Sequence, residues 1–175
     1  MAILIVVAIV YLPMLVEAGR AAANERAQLA RGGVEATGDV YRAMRIAYPS
    51  AFLLMVIEGA IRGLPPRPIV ILGATLFAAA KLLKWWAILT LGPAWTFRVI
   101  TVRSATLVTG GPYAFFRHPN YVAVVGELVG TAVMAGAWIA GPLATLGFAL
   151  LIRQRIAIEE RALETANPQS LIPNP

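Results

Sequence analysis

The segment YVAVVGELVGTAVMAGAWIAGPLATLGFALLI, residues 121–152, carries a single charge, Glu127, in 32 positions. As one straight helix it would be about 48 Å long at 1.5 Å per residue. A hydrocarbon core about 30 Å thick takes only about 20 apolar residues. The segment is therefore too long for one crossing, and Gly136 to Pro142 supplies the break. The reading is a helical hairpin in a membrane, its second helix continuing through Arg153 toward Leu163. Composition agrees, with hydrophobic residues at 59% and charged residues at 14% of 175. That is too little charge to cover the surface of a soluble domain of this size. A soluble enzyme and a disordered chain are both excluded.

Working outward, Met1 to about Gly19 is a first span, with no charge before Glu17. No basic residue precedes it, so it reads as a retained helix rather than a cleaved leader. Arg20 to Arg45 holds five arginines around Gly32-Gly33 and Gly38, and is expected as a helix and turn at the membrane surface. Ile46 to about Ile61 is a second span. Arg62 to Pro68 contains three prolines and makes a tight turn, and Ile69 to Leu91 is a third span. Lys81 and Lys84 lie in its second half, followed by Trp85-Trp86 as an interfacial pair. Its small residues Gly73, Thr75, Ala78 and Ala79 suit close helix packing. Gly92 to Asn120 is expected as an extended, irregular cap.

The expectation is an all-α polytopic membrane protein with about five spans, the last two a hairpin, and a cytoplasmic cap. Residues 1–166 form one membrane domain, with two N-terminal helices and a surface segment over 1–68 and a core over 69–166. Residues 167–175 are a loose tail. With the N-terminus outside, segments 20–45, 92–120 and 153–175 carry eleven basic residues against two, Arg62 and Arg67, on the other side. This obeys the positive-inside rule and accounts for the net charge of +6 without nucleic acid. Cys is absent and there is one His, which removes thiolate chemistry and sites built on several imidazoles; no metal site is expected.

The polar groups that remain gather late in the chain. Gly110 to Tyr121 (GGPYAFFRHPNY) ends at a helix start, where unpaired N–H groups favour an anionic group. Each part also has a plain structural reading: a Gly-Gly-Pro turn, interfacial tyrosines, Pro119 opening a helix, and His118 as a structural histidine. Glu127 is an ionisable residue in an apolar span and by default faces a cavity or a partner. Its alternatives are a place under the same cytoplasmic mouth as His118 or pairing with Lys81 or Lys84. Arg155 and Glu159 are four apart on one helix face, either as an ion pair or, with Glu160, as groups facing a cationic ligand.

In order, Lys84-Trp85-Trp86, Leu91-Gly92, Gly111-Pro112-Tyr113, Arg117-His118-Pro119-Asn120-Tyr121, Glu127 and Arg155-Ile156-x-x-Glu159-Glu160 resemble the isoprenylcysteine carboxyl methyltransferase family over roughly residues 80–165. The Arg-His-Pro-x-Tyr and Glu-Glu elements also occur in membrane phospholipid methyltransferases. The resemblance implies an integral membrane methyltransferase using S-adenosylmethionine and releasing S-adenosylhomocysteine. By this likeness Leu107, Val108, Tyr113, His118, Pro119, Tyr121, Glu159 and Glu160 line the cofactor pocket, and His118, Glu127, Arg155 and Glu159 are the candidate catalytic residues. In character the chain looks like a small bacterial member, which implies the inner membrane, with the C-terminus cytoplasmic. The implied acceptor is a carboxylate or hydroxyl of an isoprenoid or polyketide-like lipid. Phospholipid N-methylation is the alternative enzyme, and a small transporter using Glu127, Lys81 and Lys84 is the alternative outside enzymes.

Overall fold

A computed structural model describes residues 2–103 and 106–166, so the tail expected at 167–175 lies outside the described residues. The described chain is helical: α1 (Ala2–Ala30), α2 (Tyr41–Arg62), α3 (Arg67–Leu91), α4 (Pro119–Ala135) and α5 (Ala140–Ala166). Among the described residues the strands are two residues each, β1 (Val34–Glu35) and β2 (Ile100–Thr101), paired antiparallel with Val34 opposite Thr101. Three helices, α1 to α3, are long and apolar enough to cross a membrane, and α4 is a shorter apolar helix. Large apolar side chains face outward on every side, among them Leu12, Ile46, Leu82, Leu89 and Leu146. Such a surface suits lipid and would not stay dispersed in water.

The first helix differs from expectation. It does not stop near Gly19 but runs to Ala30, so residues 20–30 are not a separate surface element. A lone glycine costs a helix about 1 kcal/mol, and the polar residues beyond it are not bathed in water. Ala21, Glu25 and Gln28 are buried against the connection that follows α3. The helix ends where Gly32 takes φ +81°, and the Gly33 N–H donates to the Gln28 carbonyl at 2.9 Å. Asp39 then caps α2, accepting from the Tyr41 N–H at 3.0 Å.

Helices α3 and α4 form the tightest contact, antiparallel. Gly73 lies against Met134, Gly130 against Phe77 and Gly126 against Ala80. A Cβ at Gly130 would sit 2.6 Å from the Phe77 nitrogen, so only glycine lets the backbones approach this closely. The packed edge of α3 is thus Gly73, Phe77 and Ala80, while Thr75, Ala78 and Ala79 point outward, unlike the small-residue face expected. Phe52 and Met55 of α2 and Leu128 and Met134 of α4 fill the core. Helices α4 and α5 are joined by four residues, with Gly136 left-handed at φ 70°. The first N–H groups of α5 are held from α2, where the Glu58 carboxylate accepts from Ala140 N–H at 2.6 Å.

Connections 31–40 and 92–118 therefore meet at one end of the bundle, joined by the β1–β2 pair, and α5 runs into the same end. That end holds the site.

Candidate functional site: two cavities with a common wall

Two groups of charges occupy the bundle. The first is buried between α1, α3 and α4. Lys81 Nζ lies 2.7 Å from Glu17 Oε1 and 2.8 Å from Glu127 Oε2; Lys84 Nζ lies 2.7 Å from Glu17 Oε2 and 3.3 Å from Glu127 Oε1. The Tyr48 hydroxyl donates to Glu127 Oε2 at 2.6 Å. The Lys84–Glu127 contact is a charge contact rather than an aligned hydrogen bond, since Glu127 Oε1 has no hydrogen-bond donor. Two cations and two anions cancel, which is what an apolar interior demands of buried charge. Glu127 thus pairs with both lysines and does not line the cavity that contains His118. Glu17, noticed in the sequence only as the end of a charge-free run, is its counterpart.

The second group surrounds a cavity of about 600 Å³ at the connected end. The extended segment before the Gly110-Gly111 turn lays Leu107 and Val108 along it, and the short helical turn Gly111–Ala114 brings in Tyr113. His118, Pro119 and Tyr121 enter from the start of α4, where proline at the first position removes an N–H that would have no partner. Arg155, Glu159 and Glu160 enter from α5. All the sequence-derived residues except Glu127 are therefore gathered here.

Their contacts are specific. Tyr121 Oη donates to Glu159 Oε2 at 2.7 Å and accepts from Arg155 Nε at 3.2 Å. His118 Nε2 lies 3.3 Å from Glu160 Oε1, and Arg117 Nη2 3.6 Å from the same oxygen. Arg155 does not pair with Glu159 directly: Tyr121 stands between them, and the acid that neutralises Arg155 is Asp39. Arg155 also donates to the Phe97 carbonyl. Asp39 meanwhile accepts from the Val99 N–H at 2.9 Å, so one carboxylate ties α2, the connection after α3, and α5 together. Burial, and then the Glu159 carboxylate, push the Tyr113 phenol above its ordinary range, which keeps it neutral.

The connection itself is held from α1. Asn24 donates to the carbonyls of Gly92 and Trp95 at 3.1 and 2.7 Å, and Gln28 to that of Pro93 at 2.7 Å. Glu25 accepts from the N–H groups of Phe97 and Arg98 at 3.2 and 3.1 Å and from Arg98 Nε at 3.0 Å. That hydrogen bond raises the Arg98 pKa.

A second cavity, of about 510 Å³, lies between α1, α2 and the inner ends of α4 and α5. It is mainly apolar, with Tyr11, Met14 and Leu15 from α1, Met44 and Tyr48 from α2, and Phe148 from α5. Trp95, Thr96, Asn120, Tyr121 and Arg155 line both cavities and form their common wall. No spacing pattern in the sequence points to this chamber, because its walls come from six separate segments.

The fold is thus a helical bundle with outward apolar faces, a cavity lined by charged side chains at one end and a mainly apolar one beside it. The sequence profile of the Isoprenylcysteine carboxyl methyltransferase (ICMT) family matches residues 71–165, and the chain belongs to this family of membrane methyltransferases. It is 25% identical over 160 residues to an uncharacterized protein, YpbQ, of Bacillus subtilis, covering 91% of this chain and 95% of that one. It is 34% identical over 94 residues to the protein-S-isoprenylcysteine O-methyltransferase of Tribolium castaneum, covering 53% of this chain and 34% of that enzyme. The cobalt-zinc-cadmium resistance protein CzcN of Cupriavidus metallidurans is 36% identical over 81 residues, covering 46% of this chain and 38% of CzcN. The family-matched segment takes in α4, nearly all of α5 and the sequence-derived residues of the 600 Å³ cavity, whereas Glu17, Asp39 and most of the apolar chamber lie before it.

Proposed function

We propose that the protein is an S-adenosylmethionine-dependent methyltransferase of the membrane, acting on a carboxylate or hydroxyl of a lipophilic, isoprenoid or polyketide-like acceptor. The observation that carries the reading is the common wall between a polar cavity and an apolar one. The donor set fits the cofactor. Glu159 and Glu160 suit its cationic groups, His118 and Arg117 its carboxylate, and Tyr113, Leu107 and Val108 its flat base. A volume of about 600 Å³ is in the range of small-molecule sites. When bound, S-adenosylmethionine supplies a methyl group on positively charged sulfur, which leaves as neutral S-adenosylhomocysteine as the acceptor oxygen takes the methyl.

The protein's part is placement. Asp39 holds Arg155, Arg155 and Glu159 hold the Tyr121 hydroxyl, and these fix the wall across which the two ligands meet. Fixed geometry of this kind replaces the entropy lost in bringing two reactants together. A carboxylate acceptor needs no base. A hydroxyl acceptor gives up a proton, and Glu159 or His118 is the group placed to receive it. The apolar chamber would exclude water from the acceptor end. Glu127 is given no part in the chemistry in this reading; its pairing with Lys81 and Lys84 anchors α1 through Glu17.

Five crossings of a bacterial inner membrane, with the N-terminus outside, put the polar cavity at the cytoplasmic face, where a water-soluble cofactor arrives. Eleven basic residues on that side support the orientation, and reporter fusions after residues 64, 104 and 166 test it. For the reaction, calorimetry of S-adenosylhomocysteine with detergent-purified protein is the direct test. Binding is expected in wild type and in Lys81→Ala, and is weakened at least about tenfold in His118→Ala and Glu159→Ala. Undiminished binding in both of the latter would remove the assignment. Membranes given methyl-labelled S-adenosylmethionine should then yield a labelled lipid. An alkali-labile label identifies an ester, a stable one an ether or amine.

A further inference from the structure

We infer that Asn120 orients the acceptor through its side-chain amide N–H₂, and that it selects an oxygen-terminated amphiphile over an amine. The inference rests on the methyltransferase reading and deepens it.

Five side chains make the common wall; Trp95, Thr96 and Tyr121 have their donors engaged, and Arg155 spends one N–H from each of its three nitrogens. The Thr96 hydroxyl donates to the Arg98 carbonyl at 2.7 Å, and the Tyr121 hydroxyl to Glu159. Arg155 donates to Asp39, Tyr121 and the Phe97 carbonyl. The Trp95 indole N–H donates to Asn120 Oδ1 at 3.4 Å. That last contact fixes the amide. An indole N–H is a donor only, so the oxygen of Asn120 turns toward it and the N–H₂ turns away. Trp95 is itself immobilised, being buried against Ala21 and Ile88, with its carbonyl held by Asn24. Asn120 Nδ2 has no acceptor among the described residues, although the residue is half-buried and borders both cavities. The Asn120 backbone N–H, in the first turn of α4, likewise has no partner among the described residues.

A donor left open at the boundary between two ligands asks for an acceptor atom. A carboxylate, phenolate or enolate oxygen accepts this hydrogen bond with one lone pair and keeps others for the methyl group. A protonated amine has nothing to offer the N–H₂. The pairing also places the acceptor's polar end at the wall and leaves its tail among Met14, Met44 and Phe148. A site built to hydrogen-bond an oxygen rejects analogues lacking it, because the donor is then buried unpaired.

The decisive variant is Asn120→Asp, which keeps the shape and the oxygen facing Trp95 but replaces the donor. Asn120→Ser, which restores a donor, is its partner. Both are purified in detergent for S-adenosylhomocysteine calorimetry and returned to host membranes for labelling with methyl-labelled S-adenosylmethionine. The expected result is S-adenosylhomocysteine affinity within about threefold of wild type in both variants. Lipid labelling falls about 10- to 100-fold in Asn120→Asp and recovers at least partly in Asn120→Ser. Labelling within twofold of wild type in Asn120→Asp overturns the inference and leaves the methyltransferase reading standing. Loss of S-adenosylhomocysteine binding in both folded variants also overturns it, moving Asn120 to the cofactor. If wild type neither binds S-adenosylhomocysteine nor labels any lipid, the methyltransferase reading fails, and the inference with it.

Discussion

The two charge groups in this bundle use the same residue types for opposite ends. Glu17, Lys81, Lys84 and Glu127 close on one another, net neutral, with the Tyr48 hydroxyl as the fifth member. Asp39, Arg155, Tyr121 and Glu159 also form a chain, but one end of it, the Glu159 carboxylate, borders the 600 Å³ cavity, with Glu160 and His118 beside it. The closed cluster balances its charges within the fold, although Glu17, Tyr48 and Lys84 also line the second cavity and Glu127 Oε1 has no donor. An open chain keeps some hydrogen-bonding capacity for a ligand. Ionisable residues inside a membrane protein are therefore not equal evidence of function, and what separates them is whether their partners are already present.

The largest effect should come from breaking the closed cluster. Truncating one member leaves an uncompensated charge in an apolar interior, at a cost of about 3–5 kcal/mol. Glu17→Ala and Glu127→Ala are expected to lower the melting midpoint in detergent sharply, while folded protein binds S-adenosylhomocysteine within about threefold of wild type. A Glu127→Ala protein of normal stability that had lost binding would dissolve the contrast between the clusters.

Next comes the open chain. A hydrogen bond involving a charged group contributes about 1.5–3 kcal/mol, so Glu159→Ala should weaken S-adenosylhomocysteine by about 10- to 150-fold. Its melting midpoint should hardly change, since Glu159 is only half-buried and its partner Tyr121 keeps Arg155. Calorimetry and a thermal melt on the same sample separate the two quantities. Asp39→Asn is intermediate. With one acceptor oxygen in place of two it can hold only one of the Tyr41 and Val99 N–H groups, and it leaves Arg155 uncompensated, so it should lose both some stability and some affinity. An unchanged affinity would show that Arg155 holds its place without Asp39.

The sequence made the second half of the molecule more legible than the first. The break between α4 and α5 was readable because a long apolar run was interrupted by Gly136, and both features are local. The residues of α4 and α5 that gather around the 600 Å³ cavity were readable because Arg-His-Pro-x-Tyr and Glu-Glu are short motifs. Residues 20–30 were misread because Asn24, Glu25 and Gln28 are polar, and polarity alone cannot distinguish a wet face from one bonded to a buried main chain. Their partners lie at 92–98, around 65–73 positions away. Asp39 is farther still from Arg155, 116 positions. A lone acid carries no periodicity or spacing that points to a partner so distant. Glu17 was visible as an unusual charge, yet only the packing of α1 beside α3 shows what it meets.

The smallest expected effect belongs to Tyr113, and it tests whether the open chain's carboxylate is felt beyond its own hydrogen bonds. Burial and the Glu159 charge both disfavour the phenolate, so the folded protein holds this proton above the ordinary tyrosine value near 10. In the unfolded chain the same tyrosine ionises near 10. Below that pH both states carry the proton and Tyr113 gives no pH dependence. Above it the unfolded state loses protons that the folded state retains, so stability falls as pH rises. Wild type should therefore lose more stability between pH 10 and 11 than Tyr113→Phe, while the two run parallel from pH 7 to 9. S-adenosylhomocysteine affinity should differ by only a few-fold, since a half-buried ring without its hydroxyl still offers a flat face. Adding Glu159→Gln to the wild-type background should shrink the difference, because one of its two causes is then removed. If Tyr113→Phe follows wild type through pH 11, the phenol does not feel Glu159, and the electrostatic reach of the open chain ends at Tyr121.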